Sequence, residues 1–164
     1  MDHLWAPWRV EYVGGEKEPG CVLCSKPAAD DDQKNLVLHR AKLNFIMLNL
    51  FPYNPGHLMV APFRHVGHLQ ELTAEETVEH YELVKRAVML LTAAVEPAGF
   101  NVGMNLGQVA GAGVEDHIHT HIVPRWRGDS NFMPVIGNTK VVNESLSATY
   151  GRLKRLMLQD CAWG

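Results

Sequence analysis

Residues 117–121 read His117-Ile118-His119-Thr120-His121, an alternation of imidazole with Ile or Thr that keeps period two. Only an extended strand puts every second residue on one face, so this run demands a strand with unlike faces and with all three imidazoles on the same one. At about 3.3 Å of rise per residue the first and third rings lie roughly 13 Å apart along the strand. One metal could take two of them but hardly three, so a single zinc site does not account for the run. A row of imidazoles on one rigid strand suits chemistry in which one ring is a nucleophile and its neighbours orient it and move protons, because histidine titrates near pH 6.5.

The pattern His-φ-His-φ-His-φ-φ from His117 to Val123, with Thr120 at one apolar position, resembles the signature of the histidine triad (HIT) family of nucleotidyl hydrolases and transferases. The resemblance implies that His119 attacks the α-phosphorus of a nucleotide and carries the nucleotidyl group until water or another acceptor takes it. It implies that His121 donates to a phosphate oxygen or protonates the leaving group. An exposed His-rich strand or metal tract is the alternative, which the matching flanks disfavour.

The chain has 164 residues, 46% hydrophobic and 20% charged, with a net charge of -3. That fits one domain, residues 1–164, large enough for a core without disulfides. With no basic excess to neutralise a run of phosphates, a nucleic-acid polymer is not expected as partner, while a small anionic nucleotide needs only a local pocket. No apolar run approaches the roughly 18 residues of a membrane span, and Met1-Asp2-His3-Leu4-Trp5 lacks the features of a signal peptide, so a cytoplasmic protein is expected. Its 3 cysteines, two of them in Cys21-Val22-Leu23-Cys24, fit a reducing compartment and a metal or redox role.

Cys-x-x-Cys alone reads as zinc, redox or chance, and no βαβ pattern supports a thioredoxin-like motif. In HIT branches that hold structural zinc, the pair is completed by a histidine after a strand-plus-proline segment and by the first triad histidine. Here these are His65 and His117, giving with Cys21 and Cys24 a closed set of two thiolates and two imidazoles. The alternative is a free thiol pair, with His117 orienting His119.

Residues 1–20 form an N-terminal arm whose aromatics, Trp5, Trp8 and Tyr12, are expected to pack on the body or on a second subunit. Its Leu4-Trp5-x-Pro7-Trp8-Arg9 opening is similar to the bacterial HIT branch that contains diadenosine tetraphosphate phosphorylases. Lys26–Lys34 reads as a polar loop. Leu36–Leu38, Phe45–Leu48 and His57–Val60 read as an antiparallel meander. Asn49 in the intervening loop reads as turn chemistry, whereas the resemblance implies that it contacts the nucleotide ribose and that His57 helps fix the triad's hydrogen bonds. Thr73-Ala74-Glu75-Glu76 is a capping box opening a helix whose buried face is expected to hold Val78, Tyr81, Val84, Val88, Leu91 and Val95. His80 sits among charged residues and reads as a solvated surface histidine.

Phe100–Leu106 alternates, with Asn101, Gly103 and Asn105 on the side expected to adjoin the histidine row. The connection Gly107–Gly113 holds three glycines in seven residues, and glycine admits the φ > 0 conformations of a backbone phosphate nest. Gly107, Ala110, Gly111 and Gly113, with Asn105, are therefore candidate nucleotide contacts. The spacing from Ala110 to His117 resembles the phosphorylase-containing branch, although Gly113 stands where that branch often has serine. Pro124 is expected to stop the strand, and the following Arg125-Trp126-x-Gly128-Asp129-x-Asn131-Phe132 again resembles that branch; Arg125 or Arg127 could meet phosphate or simply stack. A last helix is expected within 141–160, with basic residues near its end.

These readings predict an α+β, HIT-like fold of about five antiparallel strands with two main helices. By resemblance the chain is a homodimeric, zinc-containing nucleotidyltransferase or hydrolase of adenine nucleotides. Phosphorolysis of diadenosine tetraphosphate, with inorganic phosphate as acceptor, is the first expectation. A hydrolase, a phosphoramidase of AMP conjugates, or a catalytically quiet nucleotide-binding dimer are the alternatives.

Overall fold

The computed structural model describes residues 20–129, 144–160 and 163. Five strands, β1 (Val37–Arg40), β2 (Asn44–Leu48), β3 (Leu58–Pro62), β4 (Gly99–Met104) and β5 (Thr120–Arg125), form one sheet in the order β1-β2-β3-β5-β4, every pair antiparallel. Among the described residues three α-helices accompany them: α1 (Val22–Ala28), α2 (Ala74–Val95) and α3 (Leu146–Gln159). This is the α+β arrangement expected from the sequence.

β2 and β3 are buried along their whole length because both faces of the sheet are covered. On one face Ile46, Leu48, Leu58, Val60 and Ile122 pack under α2 and α3 against Leu83, Leu91 and Leu153. On the other, Phe45, Met47, Met59 and Ala61 meet Leu23 of α1. Each of these side chains larger than alanine contributes about 1.5–3 kcal/mol by leaving water. His121 pairs with Met59 and with Gly103, which places it on the α1 side; Thr120 pairs with Val60 and faces the long helices.

Several expectations change. α1 extends through Lys26–Ala28, assigned to a loop by their polar neighbours, because Leu23 and Pro27, one turn apart, are both buried. α2 opens on the expected capping box, with Thr73 accepting from the Glu76 N–H and Glu76 accepting from the Thr73 N–H. Its buried face, however, is Glu76, His80, Leu83, Val84, Ala87, Leu90 and Leu91, while Val78 and Tyr81 are 66% and 59% exposed. The helix is turned toward polar partners on the sheet, and His80, expected at the surface, is 1% exposed. β5 begins at Thr120, so His117 and His119 precede the paired segment, and it continues through Pro124 to Arg125 alongside β4, beyond the end of β3 pairing at Leu58↔Ile122. The last turn of α3 holds no basic residue.

Two glycines allow close approach. Gly56 has φ +80 and lies where a Cβ would meet Leu91 at 3.1 Å, and a Cβ on Gly67 would meet the Asp116 backbone at 3.2 Å. The latter lets residues 116–118 lie against Val66, whose carbonyl accepts from the Ile118 N–H at 2.7 Å. The expectations for the N-terminal arm, Asn131 and Phe132 lie outside the described residues, as does Cys161.

Candidate active site and metal cluster

The three triad histidines have different hydrogen-bond partners, and these fix the tautomer of each ring. A carbonyl oxygen can only accept, so the ring nitrogen facing one must carry hydrogen. His119 Nδ1–H donates to the His117 carbonyl at 2.8 Å, leaving its lone pair on Nε2. His117 Nε2–H donates to the Pro62 carbonyl at 2.8 Å, leaving its lone pair on Nδ1. His57 Nδ1 accepts from the Tyr53 N–H at 3.1 Å, so His57 Nε2–H donates to His121 Nδ1 at 3.0 Å. His121 is thereby held with its proton on Nε2. His119 and His121 meet edge to face with ring centroids 4.8 Å apart. Burial lowers the His119 pKa, with the hydrogen bond to the His117 carbonyl working the other way. The pair thus combines a neutral imidazole bearing a lone pair with a neighbouring N–H donor.

Cys21, Cys24, His65 and His117 converge with their ligand atoms all within 4.8 Å of one another. His117 Nδ1 lies 3.3 Å from Cys21 Sγ and 3.4 Å from Cys24 Sγ, and His65 Nδ1 lies 3.4 Å from Cys24 Sγ. Zn–S near 2.3 Å and Zn–N near 2.0 Å at tetrahedral angles put sulfur and nitrogen about 3.5 Å apart, so the donors fit one ion. Donation from His117 Nε2 to Pro62 is the outer hydrogen bond that aims Nδ1 at such an ion. Without one, burial and the neighbouring Cys21 push the Cys24 thiol up to about 11.

Asn49 Oδ1 accepts from the Phe51 N–H at 2.9 Å, the turn reading of that residue, while its backbone N–H holds the His57 carbonyl. Gly103 lies directly across from His121, with nothing within 4 Å of the place a Cβ would take. Gly107 and Gly111 have φ of +82 and +88 on either side of a 3-10 turn at Gln108–Ala110, conformations that any other residue would strain to adopt. Gly113 is not among the glycines of positive φ. Asn105 donates to the Gly111 carbonyl at 3.4 Å, tying the loop to the strand end. Arg125 is committed elsewhere: it grips both oxygens of Asp129 and reaches Asn101, and Asn54 donates to the same carboxylate.

The model of the HIT domain matches residues 31–128. The chain belongs to the HIT family. Within it, the Mycobacterium tuberculosis protein named AP-4-A phosphorylase is 40% identical over 170 residues, covering 99% of this chain and 85% of its own length. A Schizosaccharomyces pombe asymmetrical bis(5'-nucleosyl)-tetraphosphatase is 31% identical over 122 residues, 74% of this HIT chain and 63% of its own. Among solved structures, a zinc-bound histidine triad protein of Mycobacterium smegmatis superimposes with a TM-score of 0.69 at 21% identity, covering 85% of this chain and 94% of that one. A HIT protein of Bacillus subtilis gives 0.61 at 27% identity, covering 66% and 75%.

Sequence reasoning missed the polar residues behind the HIT histidines. Asn44 and His80 are buried, and Glu79 accepts from the backbone N–H groups of Lys42, Leu43 and Asn44. Glu76 pairs with Arg64 at 2.7 Å, which together with hydrogen bonds from Thr73 holds its carboxyl at about 2. The one available signal was a histidine and two glutamates at helical spacing, which a surface face shows equally well.

Proposed function

We propose that this HIT protein is a nucleotidyltransferase that splits diadenosine tetraphosphate with inorganic phosphate into ADP and ATP. The observation that carries the reading is the fixed tautomer of His119. Its Nε2 lone pair can form a bond to the α-phosphorus while the bond from that phosphorus to the bridging oxygen breaks and ATP leaves, its released phosphate oxygen accepting a hydrogen bond from His121 Nε2–H. The imidazolium formed on His119 keeps its Nδ1–H on the His117 carbonyl, which favours the positive charge. An oxygen of inorganic phosphate then attacks the same phosphorus, the bond to His119 breaks and ADP forms, with His121 Nε2–H donating a hydrogen bond to a phosphate oxygen in both steps. Asn105 and the loop of Gly107, Ala110, Gly111 and Gly113 serve the phosphates, Asn49 the ribose, and His57 orients His121.

Phosphate rather than water as acceptor is supported by the relative named AP-4-A phosphorylase, which matches 99% of the chain. The ion in the Cys21, Cys24, His65 and His117 cluster is zinc, by the thiolate and imidazole donor set, and its role is structural because all four positions are protein groups. Reduced thiols of that kind go with the cytoplasm. The protein is a homodimer through β4, one of the two edge strands of the sheet, where Val102 is 48% exposed.

Purified protein incubated with diadenosine tetraphosphate should yield ADP and ATP only when inorganic phosphate is present. AMP and ATP in equal amounts without phosphate would make it a hydrolase. Tight binding with neither product nor label trapped on protein from the α-phosphate would reduce it to a binding module.

A further inference from the structure

Thr120 stands between His119 and His121 but faces away from them, toward α2. Its hydroxyl lies 2.7 Å from His80 Nε2, and His80 Nδ1 lies 3.1 Å from Asn44 Oδ1. Asn44 Nδ2 donates to the Glu79 carboxylate at 2.9 Å and to the Glu76 carbonyl at 3.2 Å, so its amide oxygen is the atom turned to His80. That oxygen can only accept, so His80 carries hydrogen on Nδ1, and in the neutral ring Nε2 accepts from the Thr120 hydroxyl. Burial lowers the His80 pKa to about 4, with His119 nearby adding to the effect, so the ring is neutral at ordinary pH. Donors therefore run one way, from Thr120 through His80 and Asn44 to the carboxylate of Glu79, and such head-to-tail chains strengthen each member. His80, Asn44 and Thr120 are 1%, 0% and 3% exposed, so no water competes for these bonds.

We propose that Thr120, His80, Asn44 and Glu79 form a positioning chain that fixes the backbone between the two reacting histidines and so sets how His119 and His121 face each other. The proposal rests on the reading of those two rings as nucleophile and donor. An apolar residue at position 120 would fill the same space, but only a hydroxyl ties the strand to the carboxylate at the start of α2. A small error of placement there falls on both rings at once, because each is one residue from Thr120.

Thr120→Val and Thr120→Ser separate positioning from packing, since valine keeps the shape without the donor and serine keeps the donor without the methyl. Positioning predicts that Thr120→Val loses about tenfold or more in kcat with KM within about threefold, while Thr120→Ser stays within about threefold of the parent. The ¹⁵N spectra of the His119 and His121 rings should move in Thr120→Val and stay in Thr120→Ser. The reverse order, or equal turnover and unchanged rings in Thr120→Val, would overturn the proposal. Should Thr120→Val fail to fold, Glu79→Gln at the partly exposed end of the chain replaces it, with shifted ring signals and about a threefold lower kcat expected and no change in either overturning the idea. If the parent turns over no dinucleotide, the assigned reaction fails, and the ring spectra still decide whether the chain positions the histidines.

Discussion

His117 and His119 are two residues apart, both buried and both bonded to a backbone carbonyl, yet they are suited to opposite tasks. His117 gives its Nε2–H to Pro62 and turns Nδ1 to two cysteines; His119 gives its Nδ1–H to His117 and keeps Nε2 for another partner. The difference is not in the residue or its burial but in which ring nitrogen meets a carbonyl. It also makes the two sites serial, since the peptide that presents the cluster ligand presents the acceptor for His119.

The sharpest way to break that contrast is to delete each ring. His119→Ala should cost at least about 10³-fold in kcat/KM and abolish trapped nucleotidyl label while leaving Tm nearly unchanged, since the large core under α2 and α3 does not use the ring. His117→Ala should do the reverse in kind, lowering Tm first and activity as a consequence. Cys24→Ser, or a chelator on the parent, tests the serial link: stability should fall by on the order of 3 kcal/mol, or about 10 °C in Tm, and the His119 ring signals should broaden. Ring signals that ignore metal removal would show the two sites to be independent.

A third effect comes from His80, which backs the same strand without belonging to either site. Its folded pKa, about 4, lies below the ordinary 6.5, so the folded state favours the neutral ring. The unfolded chain binds the extra proton between those values, so this contribution is fully present above pH 6.5 and is lost as pH falls toward 4. The loss amounts to at most about 3 kcal/mol, and urea titrations at pH 7 and pH 4.5 would measure it. A stability that stays level across that window would mean that His80 is charged or mobile in the fold.

How much of this could be read from the chain follows from what short-range pattern carries. The triad's period of two, the capping box at Thr73 and the apolar runs of β1 to β3 are local signals, and the strands and helix followed from them. The convergence of Cys21, Cys24, His65 and His117 rested on resemblance, because the spacing of residues up to 96 positions apart says nothing about space. His80 was misread for a physical reason. A buried polar residue is recognised only by its partners, and those of His80, Asn44 and Thr120, lie 36 and 40 positions away. The same omission misplaced the helix face: Glu76 and His80 turn inward to their hydrogen bonds, and Val78 and Tyr81 are carried outward with them.

That exposed pair gives the smallest expected effect and the control for the larger ones. Val78→Glu and Tyr81→Lys remove apolar side chains that are 66% and 59% exposed, so little buried area is lost and each should change stability by less than about 0.5 kcal/mol. Neither belongs to the buried face of α2, so the His117 cluster, the His119 ring signals and turnover should all stay where they are. If instead either change lowered Tm by several degrees in a concentration-dependent way, the outer face of α2 would be an interface between protomers rather than a solvated surface, and part of the support for His80 and Thr120 would come through the partner's packing on that helix.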